Sequence, residues 1–365
     1  MPVADAAALI DSTIAAIGGA DPDAARAADA RQDQLTKPPG ALGGLEALAT
    51  HIAGITGNPR PRLSQRLIVI AAGDHGVAAH GVSAYPAEVT AQMVANFLAG
   101  GAAINVLADH AGARVRVVDA GVAGDTPLDE RLLRLRLGPG TRDMTRQPAM
   151  TRALAGQAVA EGIALFEVER SGLGVDIVAG GEMGIGNSTS AAAIIAAITD
   201  VPPRAITGRG TGIDDGQFNA KVNAITQALS LHALDARDGA GILAAVGGFE
   251  IGVLTGVYLA AAAARVPVVL DGVISTAAAL IADALAPNVR AFLIAAHRST
   301  EPGHTAALAH LGLEPILDLG MRLGEGSGAA LGITVCVAAC RLLDEMATFA
   351  EAGVSDSDTV VEPEA

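Results

Sequence analysis

A short apolar stretch that breaks into glycines and then into a helical pattern constrains the fold more than any other feature of the sequence. The run V-D-I-V-A at residues 175–179 is typical of a buried parallel strand. Four glycines follow between positions 180 and 186, and residues 191–197 have the composition of the first turns of a helix. Backbone N–H groups at a helix start lack intrahelical partners, and the helix dipole favours negative charge there. The stretch therefore predicts a strand, a glycine turn and a helix that together bind an anion.

The polar residues of this stretch indicate which kind of anion it binds. Glycines let the main chain come close to a ligand, and small polar side chains supply hydrogen bonds or a helix cap. The residues expected to contact a phosphate in this way are Gly184, Gly186, Asn187, Ser188 and Thr189. Glu182 is out of place among them, because its carboxylate would repel a phosphate. We therefore expect Glu182 to face a cationic part of the same ligand.

Short apolar strands alternate with helical patterns along most of the chain. The further strand patterns occupy residues 67–72, 115–119, 266–270 and 290–295. This alternation predicts the α/β class, with a parallel sheet that carries helices on both faces. Ligands of such sheets bind at the carboxyl ends of the strands. The polar residues that end strands, and that we expect to converge on one crevice, include Asp74, Glu182, Asp271 and Ser299.

Composition and charge exclude some partners. Apolar residues make up 51% of the chain, but only 2% are aromatic, so much of the core must consist of small side chains. The 24 Lys and Arg residues stand against 39 Asp and Glu, a formal net charge of −15. This balance argues against nucleic acid and against an anionic membrane as partners.

The sequence predicts a reduced, cytoplasmic protein. The first residues lack the basic start and uninterrupted apolar core of a signal peptide. The longest apolar run, residues 251–264, is shorter than the roughly 20 residues that span a bilayer. Cys336 and Cys340 lie four residues apart on a predicted helix without histidine neighbours, which favours two reduced core thiols over a zinc site. The acidic and polar residues 353–365 are predicted to be a disordered tail.

Common nucleotide-binding motifs match poorly. Gly184-x-Gly186 resembles the start of a dinucleotide fingerprint, but Thr189 stands where a third glycine belongs. Asp200 follows a helix rather than the next strand, so the acidic ribose residue of that motif is missing. The sequence has no G-x-x-x-x-G-K-[ST] loop. An oxidoreductase that uses a nicotinamide dinucleotide is therefore a weak alternative, and a P-loop nucleotidase is excluded.

Three further positions carry open alternatives. The pair at 214–215 is either part of a diphosphate-ribose motif or a capped turn. Glu325 lies between two glycines just before a long predicted helix, where it is either a dipole partner or a general base whose pKa burial would raise. Lys221 follows the glycine loop at residues 208–216 and is either a surface lysine or a phosphate partner.

Together these motifs resemble one enzyme family. The chain is similar to the nicotinate-nucleotide–dimethylbenzimidazole phosphoribosyltransferases from about Leu35 to Ala347. The motifs that carry the resemblance are T-K-P-P-G-A-L-G, A-G-D-H-G-V, S-A-Y-P-A-E-V-T-A-Q-M, G-E-M-G-I-G-N-S-T-S-A, G-R-G-T-G-I-D-D, L-D-G-V-I-S-T-A-A-A-L, H-R-S-T-E-P-G-H and L-D-L-G-M-R-L-G-E-G-S-G-A.

The resemblance implies an architecture and a reaction. It implies a homodimer with a Rossmann-like large domain at residues 61–313 and a small helical domain built from residues 1–60 and 314–352. It also implies a reaction that uses no metal and no cofactor. Nicotinate mononucleotide and 5,6-dimethylbenzimidazole react to give α-ribazole 5′-phosphate and nicotinate, the step that makes the lower-ligand nucleotide of cobalamin.

The resemblance further implies a role for each site residue. Glu325 takes the N–H proton of the benzimidazole, and Glu182 lies near the positive charge that builds at C1′. The phosphate and ribose ligands are the glycine-turn residues given above together with Gly208, Arg209, Gly210, Lys221, Asp271 and Ser299. Tyr85 and Gln92 are expected to contact the benzimidazole. Ala84 replaces a polar residue of the family pattern, and Ser83 is a candidate substitute.

Some residues keep two interpretations. His75, His297 and His304 are each either catalytic or hydrogen-bonded loop histidines, and Asp74 and Asp271 either contact ribose or order loops. A catalytically silent nucleotide sensor is another alternative for the whole chain. The presence of Glu182, Lys221 and Glu325 together argues against it.

Overall fold

Six parallel strands form one sheet in the described part of the chain, which in this computed structural model comprises residues 5–210 and 212–355. The strands are β1 Arg66–Gly73, β2 Arg114–Gly121, β3 Leu132–Arg134, β4 Ile177–Met183, β5 Val268–Leu270 and β6 Leu293–Ala295. Their order is β3-β2-β1-β4-β5-β6, and Leu67 of β1 lies between Arg114 of β2 and Val178 of β4. This is the doubly wound order of Rossmann folds, whose ligands bind where the order reverses. The predicted α/β class is confirmed.

The helices connect and cover these strands. They are α1 Ala6–Ala16, α2 Pro22–Gln32, α3 Gly44–Thr56, α4 Glu88–Ala99, α5 Ala103–His110, α6 Arg152–Leu173, α7 Asn187–Thr199, α8 Pro203–Ile206, α9 Asp215–His232, α10 Gly239–Val246, α11 Phe249–Ala263, α12 Val273–Leu285, α13 Pro302–Leu311, α14 Ser327–Glu345 and α15 Phe349–Ala352. Short 3₁₀ turns occupy Gly76–His80 and Pro287–Phe292.

Small residues let the helices pack closely, as the low aromatic content predicted. A Cβ at Gly162 of α6 would overlap the Val253 carbonyl of α11, and a Cβ at Gly256 of α11 would overlap the Val159 carbonyl of α6. The two helices therefore meet backbone to backbone. Tyr258 of α11 is fully buried, and its hydroxyl hydrogen-bonds Ser275 at 2.8 Å.

The chain divides into two compact units. The large unit comprises the residues through Gly19 together with Ser64–Ile333, and the small unit comprises Ala20–Leu63 and the chain from Thr334 onward. These limits differ from the predicted ones, since α1 packs on α6 and α11 and Leu317 pairs with His297. The first helix and residues 314–333 therefore belong to the large unit. Residues 356–365 of the predicted tail lie outside the described residues.

The small unit joins two distant parts of the sequence. The Thr36 N–H donates to the Ala347 carbonyl at 3.0 Å, and the Arg31 side chain donates to the Leu343 carbonyl at 2.7 Å. The Asp344 carboxylate pairs with Arg60 at 2.7 Å and with Arg62 at 2.8 Å. These contacts hold the segment near α2 against the end of α14.

Among the described residues, two helical stretches are long and apolar enough to cross a membrane by length and composition, Glu88–His110 and Ser327–Glu345. In the second, 61% of the apolar window is buried inside the protein, as in the core helix of a soluble protein. In the first, 33% of the apolar window is buried, and Gly100, which has a left-handed φ of 81°, divides the stretch into α4 and α5.

Candidate active site

A cavity of about 400 Å³ opens at the carboxyl end of β4, beside the point where the strand order reverses. Most of the predicted site residues line it. These are Ser83, Tyr85, Glu182, Gly184, Gly186, Asn187, Ser188, Arg209, Gly210, Lys221, Ser299 and Glu325. Four predicted residues do not line it, namely Gln92, Thr189, Gly208 and Asp271. The cavity therefore brings together two glutamates that are far apart in the sequence.

Glu182 lies near the end of strand β4 and is 6% exposed. The predicted glycine turn begins later than expected, because Gly180 and Gly181 belong to the strand. Asn187 donates a side-chain hydrogen bond to the Glu182 carboxylate, and a Cβ at Gly324 would overlap that carboxylate. Burial and then the negative charge of Asp271 raise the pKa of Glu182 to about 8.

Glu325 reaches the same cavity from a strained segment. Its φ is +61°, and the flanking Gly324 and Gly326 have φ values of +82° and +85°. A left-handed residue other than glycine costs about 1–3 kcal/mol, so the surrounding structure must hold it. The Glu325 carbonyl lies against Gly181, where a Cβ would overlap it. Burial and the charge of Asp271 raise the pKa of Glu325 to about 7.

Asp271 follows β5 and lies behind the cavity wall. Its carboxylate accepts the Gly326 N–H at 3.1 Å and the Ala329 N–H at 2.9 Å. His297 Nε2 lies 3.7 Å from the same carboxylate. Burial raises the pKa of Asp271, and the neighbouring His297 opposes that shift. The structure thus places Asp271 against the backbone beside Glu325 and not against the cavity.

The start of α7 forms one wall of the cavity. Gly186 caps this helix with a φ of +97°, and Asn187 and Ser188 are its first residues. Gly184 tolerates no side chain, because a Cβ there would overlap the Gly73 carbonyl of β1. Thr189 is fully buried behind this wall. The positive end of the helix dipole makes this a favourable position for an anion.

Lys221 of α9 is 1% exposed, so it is not the surface lysine that the sequence left open. Its Nζ donates to Ser188 Oγ at 2.9 Å and to the Gly208 carbonyl at 3.4 Å. Burial lowers the pKa of Lys221, and the nearby Glu301 opposes the shift. A buried ammonium therefore faces the cavity beside the helix start.

The glycine loop before α9 is held by two carboxylates. Glu301 accepts the Gly210 N–H at 2.9 Å, and it lies where a Cβ at Gly208 would be. Asp214 accepts the Gln217 N–H at 2.8 Å and caps α9, which is the capped-turn interpretation. Arg209 pairs with Asp215 and lies 5.3 Å from the Phe218 ring centroid.

His75 and His304 are hydrogen-bonded, whereas the buried Nδ1 of His297 has no hydrogen-bond partner among the described residues. His304 Nδ1 accepts the Ser299 N–H at 2.9 Å, and its Nε2 lies 3.0 Å from Thr276 Oγ1. Burial lowers the pKa of His304 to about 3, so it remains neutral and orders the Ser299 segment. His75 Nε2 lies 2.7 Å from Glu250, and both side chains are buried. Asp74 accepts the Thr90 hydroxyl at 2.6 Å and the Ala123 N–H at 2.8 Å, which orders loops.

The opposite wall of the cavity is apolar. Tyr85 is 52% exposed, and Gln92 lies on α4 outside the wall. Several residues that complete this wall and the rim were not predicted from the sequence. They are Val82, Val89, Met93, Ile274, Leu323, Glu301 and Arg322. The spacing of Val89 and Met93, one helical turn apart, was a usable signal for a shared face of α4.

The fold and this cavity define an α/β enzyme of the phosphoribosyltransferase class. A family model described as Phosphoribosyltransferase matches residues 17–354. Nicotinate-nucleotide–dimethylbenzimidazole phosphoribosyltransferase of Roseiflexus sp. (strain RS-1) is 60% identical over 347 residues, covering 95% of this chain and 98% of that one. The protein of the same name from Chloroflexus aurantiacus (strain ATCC 29366 / DSM 635 / J-10-fl) is 58% identical, covering 95% and 99%. The chain belongs to the family of nicotinate-nucleotide–dimethylbenzimidazole phosphoribosyltransferases.

A solved structure supports the same assignment. The crystal structure of the phosphoribosyltransferase of this name from Thermus thermophilus superimposes with a TM-score of 0.87 at 45% identity. It matches 92% of this chain and 100% of that chain. The fold and the family that the sequence motifs predicted are therefore confirmed.

Proposed function

We propose that this chain transfers the phosphoribosyl group of nicotinate mononucleotide to 5,6-dimethylbenzimidazole. The products are α-ribazole 5′-phosphate and nicotinate, in the synthesis of the cobalamin lower ligand. The observation that carries the proposal is that Glu182 and Glu325 line one cavity with the buried Lys221 and the start of α7. Nicotinate mononucleotide has groups of opposite charge to these. Its phosphate complements Lys221 and the start of α7, and its cationic ring complements the carboxylates.

The phosphate end of the cavity is assigned to the 5′-phosphate. The α7 N-terminus and the Lys221 ammonium both favour a dianion, and the hydroxyls of Ser188 and Ser299 add donors. Arg209 and Gly210 line the same end. Thr189 and Gly208 support this end from behind: Thr189 is buried in α7, and the Gly208 carbonyl accepts from Lys221.

The carboxylate end is assigned to the reacting atoms. The C1′–N bond of the mononucleotide breaks, and its electron pair stays on the nitrogen of the departing nicotinate ring. Positive charge builds at C1′, and the Glu182 carboxylate stabilises it. In the free site the raised pKa keeps Glu182 largely protonated near neutral pH. The pyridinium of the bound substrate favours the anion and thereby lowers that pKa.

Glu325 is assigned as the general base. One nitrogen of dimethylbenzimidazole attacks C1′ from the face opposite nicotinate, which inverts the configuration from β to α. The N–H proton on the other nitrogen passes to Glu325, so the product carries no charge on its base. A pKa of about 7 suits this step, because the carboxylate is available near neutral pH and basic enough to take the proton.

The apolar wall is assigned to the benzimidazole ring. Tyr85, Val89, Met93 and Leu323 line it, with Ser83 as the polar neighbour. Flat apolar ligands gain most from such a surface. The contact of Gln92 with the ring stays a prediction.

Release of nicotinate tests the proposal directly. Purified protein is incubated with nicotinate mononucleotide, with and without dimethylbenzimidazole, and both products are followed by chromatography. We expect nicotinate and α-ribazole 5′-phosphate to appear in equal amounts and only when both substrates are present. Nicotinate release without the base would indicate a hydrolase, and no release at all would overturn the assignment.

We also propose a cytoplasmic homodimer that binds neither nucleic acid nor membrane. The net charge of −15 opposes both kinds of anionic surface. The stretch Glu88–His110 is apolar yet only 33% buried, and Val106 on it is 67% exposed. Val106 is the exposed large apolar side chain of this stretch, so we use it to probe a dimer contact. Sedimentation equilibrium should show a dimer that Val106→Asp weakens, whereas a monomeric wild-type protein would contradict the proposal.

A further inference from the structure

The segment that carries Glu325 has an unfavourable backbone. Gly324, Glu325 and Gly326 are three consecutive residues with positive φ, and the central one has a side chain. Glycine accepts this region freely, but glutamate does not. Without an external restraint, the segment would relax and carry the carboxylate away from its place in the cavity.

The Asp271 carboxylate supplies such a restraint. One of its oxygens accepts the Gly326 N–H at 3.1 Å, and the other accepts the Ala329 N–H at 2.9 Å. These donors lie at the start of α14, directly after Glu325. The Asp271 side chain is 1% exposed, and both of its oxygens accept hydrogen bonds from the backbone that follows Glu325.

Asp271 is itself fixed to the sheet. It follows β5 directly, and its own N–H donates to Ser275 Oγ at 3.1 Å. Ser275 Oγ in turn lies 2.8 Å from the hydroxyl of the buried Tyr258. Asp271 is therefore held by strand β5 and by helices α11 and α12, and through it the glutamate segment is held as well.

We propose that Asp271 is a positioning residue that holds Glu325 in place through the backbone N–H groups of Gly326 and Ala329. This inference rests on the proposed role of Glu325 as the base. It replaces the phosphate- or ribose-binding role that the sequence suggested, because Asp271 does not line the cavity. Its effect on the reaction passes through Glu325.

The negative charge of Asp271 also acts on Glu325. Burial raises the pKa of Glu325 first, and the Asp271 charge raises it further. The other titratable or charged groups around the cavity at this end are Glu182 from β4, His297 from the segment after β6 and Arg322 from the same segment as Glu325, whereas Lys221 from α9 lines the phosphate end. Asp271 also acts on two of these groups, because its charge raises the pKa of Glu182 and its carboxylate lies 3.7 Å from His297 Nε2. A pH profile of the Asp271 variant therefore reports on the whole carboxylate end, and the double-mutant cycle below assigns the effect to Glu325.

Asp271→Asn tests the proposal by separating turnover from binding. The amide keeps the shape but presents an NH₂ to one of the two N–H donors, so the segment loosens. We expect kcat to fall by about 10- to 100-fold, because small misplacements of a catalytic group cost this much. The dissociation constant of nicotinate mononucleotide, measured by calorimetry, should stay unchanged. The acid limb of kcat/KM should move to lower pH, since a charge that raises the pKa of Glu325 is gone. A loss of affinity as large as the loss of kcat would indicate a ligand of the substrate instead.

A double-mutant cycle shows whether Asp271 acts through Glu325. In an enzyme that has already lost the base through Glu325→Gln, adding Asp271→Asn should lower kcat no further. Independent, multiplicative losses would overturn the positioning role. A fully active Glu325→Gln enzyme would instead overturn the proposed base, so the two failures are distinguishable.

Asp283→Asn is the matched control. Asp283 is likewise a buried aspartate, but it lies on α12 and pairs with Arg290 away from the cavity. This variant should lower the thermal stability and leave kcat and the pH profile unchanged. If Asp271→Asn does not fold, Asp271→Ser keeps one acceptor oxygen and the same cycle applies.

Discussion

The two ends of the cavity are built in opposite ways. At the phosphate end, Lys221 is a buried cation with Ser188, the Gly208 carbonyl and Glu301 close by. At the carboxylate end, Glu182, Glu325 and Asp271 are buried like charges, and each of their pKa values is raised. The ammonium at the first end has an opposite charge nearby in the free protein, and we propose that a substrate cation compensates the carboxylates at the second end.

This difference shows where the free protein stores unfavourable energy. Like charges in a buried site favour protonation, and a bound cation reverses that preference. A left-handed glutamate adds backbone strain at the same place. We therefore expect changes at the carboxylate end to affect turnover and pH dependence, and changes at the phosphate end to affect affinity.

The largest effect is expected from Glu325→Gln, which removes the base but keeps the size of the side chain. General base catalysis contributes about 10²- to 10⁴-fold, so kcat should fall by that factor. Binding of nicotinate mononucleotide, measured by calorimetry, should be nearly intact. A fully active Glu325→Gln enzyme would show that the carboxylate end does not control turnover through this side chain.

Lys221→Ala should have the next largest effect and should act on affinity. Loss of a charge-assisted contact weakens binding of the mononucleotide by about 10- to 100-fold. Binding of dimethylbenzimidazole should change little. Lys221→Met, which keeps most of the volume, should give the same result if the charge is responsible. Equal loss for both substrates in a titration would argue against a phosphate role.

The pH dependence of the wild-type enzyme should reflect the carboxylate end. Glu325 must be deprotonated to act, and its pKa is raised to about 7. We therefore expect kcat/KM to fall as the pH is lowered through about 8 and then about 7, because Glu182 and then the base become protonated in the free enzyme. Steady-state rates between about pH 5 and pH 9, on either side of that pKa, check this. A profile that stays flat across the acid half of that range would mean that this carboxylate does not limit the reaction.

The smallest effect is expected on stability. A carboxylate with a raised folded-state pKa binds more protons when folded than when unfolded, so stability falls as the pH rises from the unfolded value toward the folded one. For Glu182 this window runs from 4.5 to about 8. Glu182→Gln should therefore raise the Tm near the upper end of that window by about 2 °C or more, and less near its lower end. Scanning calorimetry at both ends measures the difference, and an unchanged or lower Tm at the upper end would contradict it.

The local motifs were predictable because their chemistry is local. The strand, glycine turn and helix start around α7, where we propose an anion site, follow from glycines and small polar residues that are adjacent in the sequence. The missed elements depend on distant partners. Strand β3, Leu132–Arg134, lies in a charged segment without an apolar run and exists because it pairs with β2. Gly180 and Gly181 belong to β4 because they pair with β1. They carry no side chain because the Tyr258 hydroxyl and the Glu325 backbone occupy the space that one would need.

The site residues also divide into those that local motifs revealed and those whose role depends on distant partners. Glu182, Lys221 and Glu325 were recognisable from their motifs, and the structure places all three in the lining of one cavity. Glu301 stands in the motif H-R-S-T-E-P-G-H, but nothing in the local sequence shows that it accepts the Gly210 N–H. Asp271 looked like a ligand because it ends a strand, yet its oxygens turn to the backbone of α14.

The sequence by itself determined the α/β class, the family and the chemical types of the site residues, because these depend on composition, periodicity and short motifs. Only the tertiary structure decided which carboxylates face the cavity, which one lies behind its wall, and that Lys221 is buried. Orientation and burial arise from contacts between segments far apart in the chain, and the pKa of each group follows from them.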